Sequence, residues 1–176
     1  LDASDLGNTG AGGTLTDAED VPVTVTAVND APVNTKPGAQ TMNEDTTLTL
    51  SGANALSVAD VDADSLRVTV QASNGVVSLS GTTGLTFIGG SDGVDDTTMT
   101  FTGTKAAINT ALNGLSYTPD ANYNGPGGIG ITTTDEGATG SGGALQDQDT
   151  VAITVDPVND APVLTQPDGA TLTYTE

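Results

Sequence analysis

The sequence has no cysteine, no histidine and no tryptophan, and it sets three basic residues against 23 acidic ones, for a formal charge of −20. Each absence excludes a chemistry. Without Cys no disulfide can staple the fold, and without Cys or His the usual ligation of zinc, haem and iron–sulfur clusters is closed. The same two absences remove Ser-His-Asp and Cys-His catalysis. A pair of carboxylates of the glycosidase kind is available in principle, but the acids lie in turns and linkers and nothing marks a pair out; no enzyme is expected. Lys36, Arg67 and Lys105 are too few to hold a nucleic-acid backbone, which is gripped through Lys and Arg. So acidic a surface is also repelled by an anionic membrane, and no apolar run is long enough to span one.

What is present is oxygen. The partners of a carboxylate-rich chain are cations, and hard cations such as calcium prefer carboxylate and carbonyl ligands. High net charge with few aromatics is also a signature of disorder, but runs of alternating apolar residues oppose that reading. A modest core with no covalent staple needs another lock, and metal binding is the available substitute.

An internal repeat governs the organisation. Val28-Asn29-Asp30-Ala31-Pro32-Val33 recurs letter for letter as Val158-Asn159-Asp160-Ala161-Pro162-Val163, an offset of 130 residues. At that offset Asp5 matches Asp135, Gly7 Gly137, Thr9 Thr139, Gly10 Gly140, Gly12 Gly142, Gly13 Gly143, Leu15 Leu145 and Asp17 Asp147, with no gap. Val21, Thr24 and Val25 match Val151, Thr154 and Val155. A period this long is domain-sized, not a solenoid unit. The reading divides the chain into the tail of one repeat (1–33), a complete repeat (34–163) and the first strand of a third (164–176). No signal peptide opens the sequence, so any secretion signal is expected elsewhere in a longer protein.

Period two dominates, with Thr and Val alternating as half-buried strands require. Val21–Val25, Leu66–Val70, Val77–Leu79, Leu85–Phe87, Met99–Phe101, Leu115–Tyr117, Ile129–Ile131 and Val151–Val155 are the strand candidates. Asn74-Gly75 between two of them predicts a type I′ hairpin. Ile108, Leu112 and Leu115 follow helical spacing, with Thr104 placed to cap the start and Gly114 the end. The expected class is all-β: an antiparallel Greek-key sandwich of cadherin or immunoglobulin type, with one short helix, in tandem.

Four acidic features mark the complete repeat: Asn43-Glu44-Asp45, Asp60-Val61-Asp62-Ala63-Asp64, Asp135-Glu136 and Asn159-Asp160. In an extended loop, side chains two apart point the same way, so Asp60, Asp62 and Asp64 are expected to converge on one ion. Asp92, Asp95 and Asp96, in a glycine-rich loop, are candidates for a separate site. Pro after Asn-Asp-Ala stiffens the linker.

With these residues in view, the chain resembles the cadherin-like repeats of large bacterial surface adhesins and type-I-secreted giant proteins. The Val-Asn-Asp-Ala-Pro linker carries the resemblance, together with Ala111–Pro119 and Asn122-Tyr123-Asn124-Gly125. It implies an extracellular, cell-surface protein whose repeats contact their neighbours in the same chain through calcium. Carried over by position, the first junction takes Asp5, Asn29, Asp30, Asp60 and Asp62, with Asp64 as an additional candidate; the second takes Glu44, Asp135, Asn159 and Asp160. The mid-domain Leu-Asp-Arg-Glu pattern of vertebrate cadherins is missing, which leaves the number of ions per junction open. The implied role is a spacer stiffened by calcium. Two alternatives stand beside it: a module for a glycan or protein ligand, and a subunit that pairs with other copies by strand addition through Thr171–Tyr174.

Overall fold

Alternation in sequence becomes alternation in burial. Along Ser65–Ser73, Leu66, Val68 and Val70 are buried while Arg67 and Gln71 face outward. The computed structural model describes residues 1–6, 10–137 and 140–161. The strands, in chain order, are β1 (Asp2–Ser4), β2 (Thr16–Ala18), β3 (Val33–Thr35), β4 (Gln40–Asn43), β5 (Leu48–Leu50), β6 (Ser57–Ala59), β7 (Ser65–Ser73), β8 (Gly75–Ser78), β9 (Leu85–Ile88) and β10 (Thr98–Thr104). The helix α1 (Lys105–Leu112) follows, then β11 (Leu115–Pro119), β12 (Gly125–Thr134) and β13 (Gln146–Asp156). With 46% of residues in strands and one α-helix among the described residues, the chain is mostly β.

Six strands form one sheet in the order β4-β13-β12-β7-β10-β9, and three form another in the order β5-β11-β8. Neighbours are antiparallel except β4, which runs parallel to β13. Both sheets contribute to a single core: Val68, Phe101, Ile131 and Ile153 from the larger, Leu50, Val77, Leu115 and Tyr117 from the smaller. Two two-stranded ladders, β3-β6 and β1-β2, complete the pairing.

The helix is where its spacing puts it. The Thr104 hydroxyl accepts from the Ala107 N–H at 3.2 Å, and Ile108, Ala111 and Leu112 are buried. Asn109 reads the backbone of β6 as a neighbouring strand would: its amide donates to the Val58 carbonyl (2.9 Å) and its oxygen accepts from the Val58 N–H (2.8 Å).

Two expectations are corrected. Asn74-Gly75 is not a hairpin, because β7 and β8 lie in different sheets. Asn74 alone takes positive φ (56°), and the pair turns a corner between sheets. Gly75 is required there by crowding, since a Cβ would sit 2.4 Å from the Thr118 carbonyl oxygen. Val21–Val25 is not a strand: Val21, Val23 and Val25 are 65%, 81% and 86% exposed, and no described strand pairs with them. The expected first strand of a third repeat, 164–176, lies outside the described residues.

Candidate functional site

Strand direction decides which acids meet. Thr134, the last residue of β12, is opposite Arg67 near the start of β7 and opposite Gln146 at the start of β13. The Asp60–Asp64 loop and Asp135 therefore share one end of the molecule, here the linker end. Glu44 follows β4, whose last residue Asn43 pairs with Asp156 at the finish of β13, so it belongs to the opposite end. At about 3.3 Å per residue, the length of β12 separates the two by roughly 30 Å.

At the linker end the first hexapeptide is seated on the loop between β12 and β13. Val28 bridges Ser141 in parallel; the Asn29 N–H donates to the Ser141 carbonyl and the Ser141 N–H to the Ala27 carbonyl, each at 3.0 Å. The backbones come this close because residue 140 is glycine. A Cβ there would lie 2.8 Å from Asn29 N and Val28 C, and φ is +73°.

Asn29 is buried, and its side-chain amide donates to Asp135 Oδ2 (2.6 Å) and to the Gly143 carbonyl (2.9 Å). Two acceptors on one nitrogen fix which way the amide faces. Asp135 Oδ1 accepts from the N–H groups of Gly137 (2.8 Å) and Leu145 (2.9 Å). Burial works to raise the Asp135 carboxyl, but the Leu145 and Gly137 N–H groups and the Asn29 amide outweigh it and hold it below the ordinary 3.8. Its stabilising charge is thus fully present above that ordinary value and lost as pH falls through the lowered one.

The neighbouring loop supplies more oxygen. The Asp30 N–H donates to Asp62 Oδ2 at 2.8 Å, which leaves the exposed Asp30 carboxylate beside that loop. Asp60 Oδ1 accepts from the N–H groups of Asp62 (2.8 Å) and Ala63 (2.7 Å). Lys105 Nζ donates to the Asp60 carbonyl at 2.8 Å. Asp60 Oδ2 is buried and has no hydrogen-bond partner. Among the described residues Asn34 Nδ2 shares that condition, but Asp60 Oδ2 belongs to an acid, and a buried carboxylate oxygen without a donor is the costlier of the two.

The expected convergence of Asp60, Asp62 and Asp64 is not what the loop does. Asp60 folds back on its own turn, Asp62 reaches the linker and Asp64 is exposed, because the loop is an Asx turn and not extended chain. Among the described residues no group of three or more acidic side chains is gathered ready for a metal ion.

The grouping of acids also changes. Asp135, expected at the second junction, sits with Asn29, Asp30, Asp60 and Asp62 at the first, because β12 runs toward the linker. Asp5 repeats in its own hairpin what Asp135 does: its Oδ1 accepts from the Leu15 N–H at 2.9 Å, and β1-β2 has the register of β12-β13 shifted by the repeat offset. At the far end Glu44 is buried; its Oε1 accepts from the Val158 N–H (2.7 Å) and its Oε2 from the Asn124 amide (3.4 Å). Asn159 and Asp160 are exposed just beyond it.

Three residues that sequence reading did not single out support the site. Asp147 Oδ2 accepts from the Asn34 N–H (2.7 Å), and Thr133 donates its hydroxyl to Asn34 Oδ1 (2.6 Å). Asn34 and Thr133 are buried, so they fix the chain just after the linker. Only Asp147 carried a signal in advance, its match to Asp17. Asp92 and Asp96 close their own loop on backbone N–H groups, and Asp95 accepts from the Ser78 hydroxyl. On the sheet face a shallow groove of about 300 Å³ is lined by Gln71, Ala72, Ser73, Gly128, Gly130, Gln148 and Thr150, with no aromatic ring for a sugar to stack on. No family model matches the chain, and no curated protein matches its sequence.

Proposed function

We propose that the chain is part of a calcium-binding spacer in a large extracellular adhesin of the bacterial cell surface. In this reading Greek-key, cadherin-like sandwiches follow one another in tandem, and calcium at each junction stiffens the array. The role is mechanical, and its partners are calcium ions and the adjacent repeats. One observation carries the reading: Asp60 Oδ2, a buried carboxylate oxygen without a partner, at the end of the molecule where Asp30, Asp62, Asn29 and Asp135 also lie.

The donor chemistry of these residues suits the ion, and the side chains of Asp30, Asp60 and Asp62 would have to turn toward one another to share it. All offer oxygen, the donor calcium prefers, and extracellular calcium is abundant enough to fill weak sites. Asp30, Asp60 and Asp62 would hold the ion, while the Asn29–Asp135 hydrogen bond beside them seats the linker. At the far end Glu44, Asn159 and Asp160 would contribute to the next site. Bound calcium supplies neutralisation. It would lower the repulsion among carboxylates in a chain of charge −20, and the linker that Asp30 belongs to is already restricted in direction by Pro32.

Calorimetric titration of the chain with calcium, paired with melting curves, tests this. Calcium is expected to bind and to raise the melting temperature, with stabilisation of about 2.7 kcal/mol at a hundredfold excess over Kd. Magnesium is expected to restore little, because it demands tighter octahedral geometry and releases water reluctantly. Asp60→Ala should abolish most of the calcium response. Absence of binding heat, or equal protection by both ions, defeats the proposal.

A further inference from the structure

The hexapeptide occurs twice, and its two copies are held in different ways. Val28-Asn29 is gripped by the unit it leads into, through Ser141, Gly143 and Asp135. Val158 is gripped by the unit it leaves, with its N–H donated to Glu44 Oε1 at 2.7 Å. Because the two hexapeptides are identical, a linker between two complete units presents both sets of groups at once. The sets do not compete. The upstream grip takes the N–H of the Val; the downstream grip takes the carbonyl before that Val and the backbone and side-chain N–H groups of the Asn.

We propose that each junction is a two-sided clamp that needs no metal. A Glu44-type carboxylate holds the linker from one side and an Asp135-type carboxylate with its glycine loop holds it from the other. The far-end surface around Glu44 and Val158 therefore takes, as its partner, the loop end of another unit of the same kind. This rests on the tandem reading above, but not on calcium.

The physical case lies in burial and charge. Both carboxylates are almost fully enclosed, Glu44 at 4% and Asp135 at 1% exposed. Hydrogen bonds to an ionised carboxylate are about twice as strong as neutral ones, and more so away from water. Asn at the linker's second position is the side chain the downstream grip requires, since its nitrogen faces two acceptors. Asp there would set carboxylate against carboxylate. Gly140 is required for the same reason, because any side chain would lift the linker off the loop.

Amide hydrogen exchange on the full chain in chelator tests both halves. The Asn29, Ser141 and Val158 amides are expected to exchange at least about tenfold more slowly than in unstructured peptide. Glu44→Ala should release Val158 alone, and Asn29→Ala should release Ser141 together with the amide of residue 29, with Val70 and Ile131 reporting that the sheet is intact. If an alanine variant loses the sheet amides as well, Glu44→Gln, which keeps an acceptor without the charge, should weaken Val158 protection and spare Val70. Exchange of either linker amide at the unstructured rate in the unmodified chain overturns the clamp. Calcium added to the same sample separates the two proposals. Protection in chelator that calcium leaves unchanged, with no binding heat, keeps the clamp and removes the metal; protection present only with calcium does the reverse.

Discussion

Val21-Pro22-Val23-Thr24-Val25 and Val151-Ala152-Ile153-Thr154-Val155 share a pattern and differ in outcome. The second lies in β13 between β12 and β4, with Val151, Ile153 and Val155 at 1%, 2% and 2% exposed. The first has no strand on either side among the described residues and leaves all three of its valines in water. Alternation specifies which face of a segment is apolar; it does not supply a neighbour to bury that face. Pro22 weakens the first copy further, by removing a ladder donor that Ala152 keeps. The hairpin loops repeat the lesson on a smaller scale. Asp5 and Asp135 bind Leu15 and Leu145 alike, yet among the described residues it is the second loop that has a linker lying across it.

The sharpest break in this comparison comes from the core. Ile153→Ala should cost about 2–5 kcal/mol, the usual range for a buried large-to-small change. Val23→Ala, at the matching position, should stay within about 0.5 kcal/mol, as exposed substitutions do. Urea denaturation of both variants reads the difference, and equal losses would mean that residues 19–27 are packed in solution.

Gly140→Ala against Gly10→Ala is the next test. Both glycines have positive φ, +73° and +88°, so each alanine should cost about 1 kcal/mol in backbone strain. Among the described residues, Gly140 has backbone atoms in the way and Gly10 has none, so the Gly140 alanine should cost more and should displace Asn29 from Asp135. Stability and the Asn29 side-chain NMR signals check this.

The smallest expected effect is Glu136→Leu, which gives the second loop the residue the first has at Leu6. Both positions share φ of 57°, so the backbone is indifferent. The Arg67–Glu136 pair at 3.4 Å is half exposed on both sides, and its loss should amount to less than about 0.5 kcal/mol. A shift in urea midpoint beyond that would show the pair to be better shielded than its exposure suggests.

Much of the fold was legible because local chemistry and final structure agree. The helix with its Thr104 cap is one case; the alternating strands from Leu66 to Ile153 are another. Legibility failed where a residue answers to something distant in sequence. Asn74-Gly75 looks like a hairpin turn in isolation, but Tyr117 and Thr118 crowd Gly75 and send the chain to the other sheet. The repeat exposed the candidate site residues, yet it could not say which acids meet. Asp135 lies against the first linker and not the second, because its end of the molecule depends on the direction of β12, which no spacing records. Asn34 and Thr133 gave no signal, since a buried Asn–Thr pair reads as ordinary strand polarity until the strands are placed.

Tyr117 has an optical consequence. Its ring is fully buried, its hydroxyl donates toward the carbonyls of Ser73 (2.8 Å) and Asn74 (2.9 Å), and a Cβ on Gly127 would lie 2.6 Å from the phenolic oxygen. Burial, then the nearby charges of Asp120 and Tyr123, push its ionisation above the ordinary 10.0. The folded chain therefore favours the neutral phenol, and this contribution to stability is complete below pH 10.0 and lost as pH rises through the raised value. The sequence has two other tyrosines, Tyr123 and Tyr174, so in a variant with both changed to Phe the onset of phenolate absorbance marks the opening of the corner between the two sheets, and Tyr117 becomes a chromophoric gauge of integrity.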